Sequence, residues 1–263
     1  CSTRWRNFFV FPSWRMFTLP TATSSTISPL VKAPQNTIPA FLQAIKDGAD
    51  GFENDVHTTK DGFLVVCHNY DIDETSNGTG AIEELTLEEL RGFDFGSYFS
   101  EDFAGTRIPT IEEFLDLCGG LSVINIEIKA PKKPGTDVVR KVIQKVKDFG
   151  LFDKLLISCF NKDILVECKE VDPKTRTGIL YSADSPYTEL YDDFVGFAKS
   201  IKADALHPLG MFVDEDYIEE AHKAGLIVNP WTVDKDYAIE RLRDWGCDGV
   251  ITNLPDLARK IIG

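Results

Sequence analysis

The sequence predicts an α/β protein of the (β/α)8 TIM-type barrel class, with a hairpin and excursion after the second strand. Three observations lead there. Past residue 36, strand-like and helix-like patterns alternate almost without interruption, the rhythm of right-handed βαβ units and a parallel sheet. Counting the hairpin once, seven parallel strand candidates follow residue 50, and 263 residues leave room for an eighth in the size range of such barrels. No G-x-G-x-x-G motif follows the first strand, which disfavours the alternative of an open doubly wound sheet.

The elements follow in chain order. The missing eighth strand must lie upstream, where the apolar run 8–11 is the best candidate. Residues 36–46 read as a helix, with Ile38, Leu42 and Ile45 at helical spacing. The β-rich runs 51–56 and 63–68 flank Thr59-Lys-Asp-Gly62, whose Asp-Gly pair is a strong hairpin signal, so they pair antiparallel. Thr110 and Glu113 form a capping box opening a helix that Gly119 and Gly120 close. Residues 122–129 alternate apolar and polar in the period of a strand. Strands are expected at 155–160, 177–181, 204–206, 226–231 and 249–252, and helices near 137–149, 161–171, 187–200, 214–224 and 236–245. Residues 83–120, with Phe93, Phe95, Tyr98 and Phe99, read as a packed excursion, with a cover over the site as the other reading.

Charge and composition narrow the function. With 28 basic and 42 acidic residues, the net charge of −14 argues against nucleic-acid binding and suits a site that collects divalent cations. No run approaches 18 apolar residues, so no transmembrane segment is expected. Residues 1–46 hold no Asp or Glu and carry a net +5, which leaves −19 on the rest. That acid-free, Ser/Thr-rich start reads as an organellar transit segment or as an atypical extension. The chain is accordingly divided into an atypical segment, 1–32, and a barrel, 33–263; the expected location is cytoplasmic, or organellar if 1–32 is a transit segment. Six scattered cysteines without a C-x-x-C pair read as reduced core thiols, not as a zinc site.

Two strands concentrate the chemistry. Glu53 and Asp55 are two apart and share a strand face, where paired carboxylates repel unless a cation sits between them. Folding the hairpin about residues 60–62 returns His68 to the level of Glu53, with Cys67 pointing the opposite way into the core. On the strand 122–129, Asn125, Glu127 and Lys129 share one face, and a buried Glu–Lys neighbourhood is costly unless paired or bound to something. In a barrel these groups meet near the rim. Three carboxylates form an oxygen-rich site of the Mg2+ or Ca2+ type, and Lys129 contacts an anionic ligand. A solvated strand face and a structural Glu–Lys ion pair are the simpler explanations of the same residues.

At this point the residues resemble a known family. Ala33-Pro-Gln-Asn-Thr37, Gly48-Ala-Asp-Gly-Phe-Glu-Asn-Asp-Val56, Thr59-Lys-Asp-Gly62, Val65-Val-Cys-His68, Asn125-Ile-Glu-Ile-Lys129, Trp231-Thr-Val233 and Gly249-Val-Ile-Thr-Asn253 with Pro255-Asp256 look like the glycerophosphodiester phosphodiesterases, in the family's order and spacing. The resemblance covers 33–263 and implies a barrel that binds one divalent metal through Glu53, Asp55 and Glu127. It implies His68 as one of two proton-exchanging histidines, Lys129 on the phosphate and Trp231 on the glycerol side. It further implies attack of the glycerol 2-hydroxyl on phosphorus, loss of the alcohol and opening of a cyclic phosphate by water. The partner implied is a small phosphodiester substrate, and no protein partner is implied.

The sequence departs from the family where His-Arg-Gly is usual: those positions read Thr26-Ile27-Ser28, and no histidine precedes His57. Gln35 stands where Glu is usual and Asn69 where Asp is usual. Three readings account for the missing motif: a chain that keeps the cation site without turnover, a substitute such as Arg15 or His57, or a start that is not the natural one. The expectation is cation binding with slow turnover. The alternatives are a sphingomyelinase D-like phospholipid lyase and a catalytically inactive phosphodiester-binding protein.

Overall fold

The computed structural model describes residues 15–18, 32–131, 137–182 and 193–263. Eight parallel strands form the wall of a barrel: β1 (Arg15–Thr18), β2 (Gly51–Thr58), β4 (Val123–Ile128), β5 (Leu155–Cys159), β6 (Arg176–Tyr181), β7 (Ala205–Pro208), β8 (Ile227–Val228) and β9 (Gly249–Thr252). β1 pairs with both β2 and β9. Val233 N–H donates to the Ile251 carbonyl, and Ile251 N–H to the Pro230 carbonyl, each at 2.9 Å, which ties the segment after β8 to β9 and closes the ring. The helices lie outside: α1 (Ile38–Lys46), α4 (Val138–Asp148), α5 (Lys162–Val171), α6 (Phe194–Ser200), α7 (Glu215–Lys223), α8 (Asp236–Asp244) and α9 (Pro255–Ile262). The short helices α2 (Leu87–Leu90) and α3 (Ile111–Leu115) belong to the stretch between the hairpin and β4.

The strands read as they do because their two faces meet different layers. Phe52, Val56, Ile124, Ile126 and Ile128 join the core between wall and helices, whereas Gly51, Glu53, Asp55 and Asn125, Glu127 alternate to the interior. At Gly51 a Cβ would come within 2.4 Å of Val123, so this contact between neighbouring strands requires glycine.

Several expectations need correction. The position between β2 and β9 is filled by Arg15–Thr18, while the candidate run 8–11 lies outside the described residues. In α1 the predicted stripe is displaced. Leu42 and Ile45 are exposed, and Ala40, Phe41 and Ala44 are buried instead. The reason is aromatic: Phe41 packs on Phe52 and Phe114, with ring centroids 5.0 and 4.8 Å away, and burying that ring sets the helix rotation. Of the helix expected near 187–200, Phe194–Ser200 is seen and 187–192 lie outside the described residues.

The hairpin forms as expected. β3 (Leu64–Val66) pairs antiparallel with β2, and Gly62 takes the left-handed φ of +86° that its turn demands. Its register places Val66 opposite Val56, and Cys67 N–H donates to the Asp55 carbonyl at 3.0 Å. Residues facing each other in an antiparallel pair share a face, so Cys67 lies on the carboxylate side of the ribbon, contrary to expectation. It is buried there in a second small core with Val65, Ile72, Ile82, Leu90, Phe95 and Ile108. The excursion is therefore a packed unit. Cys67, Cys118, Cys159, Cys168 and Cys247 are all free and buried.

Candidate active site

The barrel brings the predicted carboxylates together. Asp55 and Glu127 are direct partners in the β2–β4 register, and Glu53 lies one step lower, beside Asn125. Glu53, Asp55 and Glu127 each offer a carboxylate oxygen within 4.8 Å of the others, and all three are buried. Lys129, from the end of β4, reaches between two of them. Its Nζ lies 2.8 Å from Asp55 Oδ1 and 2.7 Å from Glu127 Oε1.

One buried ammonium does not neutralise three carboxylates, and their acidities show the imbalance. Burial, then Asp55 and Glu127, push the Glu53 carboxyl well above the usual carboxylate range. Burial also raises Glu127, to about 7, although Lys129 opposes it. At Asp55 burial is outweighed by Lys129 and His68 and by hydrogen bonds from Lys129 and Asn36, and the carboxyl falls to about 2. Glu53 Oε2 has no hydrogen-bond partner among the described residues. An orphaned carboxylate oxygen beside two more carboxylates is a donor set that fits a hard divalent cation.

Asn36, within the Ala33-Pro-Gln-Asn-Thr37 motif, belongs to this site. It lies in the turn before α1, where Thr37 caps the helix by accepting from Ala40 N–H. Asn36 Nδ2 donates to Asp55 Oδ2 at 2.9 Å, and Asp55 N–H donates back to Asn36 Oδ1 at 3.3 Å. The only sequence signal was Asn beside a helix-capping Thr, which is ordinary in any loop.

His68 lies half-buried just past the end of β3. The register sets it level with Asn54, not Glu53, but the ladder has ended and a bend frees its side chain. It is close enough to influence the charges of both Asp55 and Glu127. Asn69 Nδ2 donates to Glu74 Oε2 at 3.0 Å, which turns Asn69 Oδ1 toward His68 Nδ1 at 2.8 Å. A carbonyl oxygen only accepts, so Nδ1 is the donor in this contact and Nε2 is the nitrogen left for proton exchange. His57 extends the face of Glu53 and Asp55 and is buried edge-on to Tyr70; burial and Lys129 hold its pKa down to about 3.

Trp231 lies just past β8, in an isolated parallel bridge to Leu209. Its indole N–H donates to the His207 carbonyl at 2.8 Å, and its ring meets Phe160 edge-on at 5.7 Å. It lines a cleft of about 290 Å3 with Leu209, Met211 and Tyr237, and none of the three carboxylates borders that cleft. The chemistry is assigned to the acidic cluster because no comparable group of acids lines the cleft.

Comparison with known proteins decides the family. A family model described as the glycerophosphoryl diester phosphodiesterase family matches residues 30–257. The chain belongs to this family. It is 38% identical over 226 residues to a glycerophosphodiester phosphodiesterase of Caldanaerobacter subterraneus subsp. tengcongensis, covering 85% of this chain and 90% of that one. It is 33% identical over 250 residues to another of Bacillus subtilis, covering 87% and 82%. Solved structures share the barrel. One is a glycerophosphodiester phosphodiesterase of Agrobacterium tumefaciens, with a TM-score of 0.77 at 22% identity over 94% of this chain and 99% of that one. Another is an Oleispira antarctica phosphodiesterase in complex with the product sn-glycerol-3-phosphate, with a TM-score of 0.80 at 24% identity over 95% and 97%. Among the described residues, no helix is long and apolar enough to cross a membrane.

Proposed function

We propose that the chain is a divalent-cation-dependent phosphodiesterase that hydrolyses glycerophosphodiesters to glycerol 3-phosphate and an alcohol. The observation that carries the reading is the buried trio of Glu53, Asp55 and Glu127 with only one lysine between them, at the end of the barrel where such folds place their active sites. These three residues would hold Mg2+ or Ca2+, which when bound supplies Lewis-acid polarisation of the phosphoryl oxygens.

The rest is the work of the chain's own side chains. Lys129 is desolvated and tied to two carboxylates, which places its ammonium where it would contact a phosphate oxygen of the substrate. His68 exchanges a proton at Nε2, because Asn69 holds the Nδ1 proton. Trp231 flanks the substrate from the segment after β8. The lack of His-Arg-Gly at positions 26–28 removes a second proton-transfer group and a phosphate-gripping arginine, which sets turnover about 10²–10⁴-fold below that of a chain that has the motif. The domain division is also proposed: an N-terminal segment, 1–32, that includes strand β1, and a phosphodiesterase-like barrel, 33–263.

The test follows glycerophosphocholine by phosphorus NMR with Mg2+, with Ca2+ and with a chelator. Slow release of glycerol 3-phosphate that stops on chelation is expected. No turnover with either cation contradicts the enzyme reading and favours a binding protein; cyclic phosphate as the end product favours a lyase.

A further inference from the structure

The excursion between the hairpin and β4 packs as a unit, yet it leaves a large side chain uncovered beside the acidic cluster. Tyr70 is 41% exposed, although the chain around it is fastened. Ile82 N–H donates to the Tyr70 carbonyl at 3.0 Å, Asp71 bridges Ala81, and Ile72 N–H donates to the Gly80 carbonyl at 3.1 Å. Ile72 and Ile82 are fully buried in the excursion's own core. Its anchors therefore set where the Tyr70 ring stands.

The strands show where that is. Val56 pairs with Ile128, so one step further along the two strands His57 stands beside Lys129, and Lys129 N–H donates to the Val56 carbonyl at 3.1 Å. The Tyr70 ring meets the buried His57 ring edge-on, with centroids 5.2 Å apart. Tyr70 thus stands at the level of Lys129, beyond Asp55 and Glu127 and toward the open end of the barrel. The charges of the site reach its hydroxyl. Burial raises its pKa above the ordinary 10, Lys129 opposes the rise, and Cys159, Glu127 and Asp55 add to it. The phenol keeps its proton at neutral pH and is a hydrogen-bond donor. A phosphodiester arriving here brings charged oxygens, to which hydrogen bonds are strong, while Lys129 already serves two carboxylates. We propose that Tyr70 is a substrate-binding residue whose hydroxyl donates to a phosphoryl oxygen at the mouth of the site. A neutral donor suits this position, because a second cation would be drawn onto the carboxylates as Lys129 is. The inference rests on the proposed phosphodiesterase reading and deepens it.

Calorimetric titration of the full chain with glycerol 3-phosphate and with inorganic phosphate, each with Mg2+ present, tests it in the wild type, Tyr70→Phe and Tyr70→Ala. Phenylalanine keeps the ring on His57 and removes the hydroxyl alone. Thermal melting checks that the variants fold, and titration with Mg2+ by itself checks the acidic cluster. Tyr70→Phe is expected to weaken both phosphates about tenfold, as for one hydrogen bond to a charged group, with Mg2+ affinity unchanged. Tyr70→Ala is expected to weaken them at least as much. Unchanged affinity for both phosphates in a folded Tyr70→Phe, or a loss in the alanine variant alone, overturns the role of the hydroxyl and leaves the phosphodiesterase reading standing. A loss confined to glycerol 3-phosphate also overturns it, by moving the contact to the glycerol. A Tyr70→Phe protein that loses Mg2+ binding or cooperative melting shows a structural role and overturns it too. A wild type that binds Mg2+ but neither phosphate removes the phosphodiesterase reading, and the inference with it.

Discussion

Two walls of the barrel bury polar side chains, and they do so in opposite ways. On the wall made by β2 and β4, three buried carboxyls share one lysine, and the crowding pushes Glu53 and Glu127 toward their protonated forms. On the wall of β7 and β8, His207 and Asn229 are equally buried, but burial alone holds the histidine near a pKa of 3, so it stays neutral. Asn229 lies 3.3 Å from its Nε2, and the ring presses so close to Gly178 that a Cβ there would come within 2.7 Å of it. The second wall is packing with a few polar atoms in it. The first is an electrostatic problem that a ligand relieves. Burial of polar groups does not mark a site; unbalanced charge does.

The contrast can be broken in four places. The largest effect is expected from His68→Gln, which should lower turnover by about 10²–10⁴-fold while leaving Mg2+ affinity in calorimetry nearly unchanged. A parallel loss of cation binding would mean that His68 supports the cluster instead. Lys129→Met comes next. Without cation it should cost about 3–5 kcal/mol in denaturant unfolding, since it strips the buried acids of their partner, and Mg2+ should restore part of that loss. An equal loss with and without Mg2+ would show that the lysine, not a cation, is the charge this wall is built around.

Acidity sharpens the comparison further. Glu127 titrates near 7 in the fold against an ordinary 4.5, so the folded state keeps a proton that the unfolded chain gives up. Cation-free stability should therefore fall as pH rises through about 4.5–7, with Glu53 acting in the same direction. Asp55, lowered to about 2, acts oppositely, its contribution being lost only as pH falls below 3.8. The rise in melting temperature on adding Mg2+ should accordingly be greater at pH 8 than at pH 5; an equal rise at both would contradict the raised acidities. The smallest effect belongs to the neutral wall. Trp231→Phe should lose the hydrogen bond to the His207 carbonyl, about 0.5–1.5 kcal/mol in stability, with no change in Mg2+ affinity.

What the sequence reveals follows the same division. The acidic wall is legible because a strand alternates: Glu53 with Asp55, and Asn125 with Glu127 and Lys129, must share faces whatever the surrounding fold. The hairpin is legible from Asp61-Gly62. Contacts settled by distant partners are not. Phe41 turns α1 away from the stripe of Leu42 and Ile45 because Phe114, far along the chain, is there to receive it. Arg15–Thr18 is a four-residue strand held by backbone pairing on both sides, with little in its side-chain pattern to announce it. Asn36 reaches Asp55 through a left-handed turn that no periodicity records. Strict alternation also misleads at Cys67 and His68, where the ladder ends and the bend takes over.

The central claim is that Glu53, Asp55 and Glu127 form one divalent-cation site. Calorimetric titration of the wild type and of Glu53→Gln with Mg2+ tests it most directly. The account predicts one saturable site per chain in the wild type and its loss in the variant, with both proteins folded. Undiminished binding in Glu53→Gln, or no binding in the wild type, would contradict it.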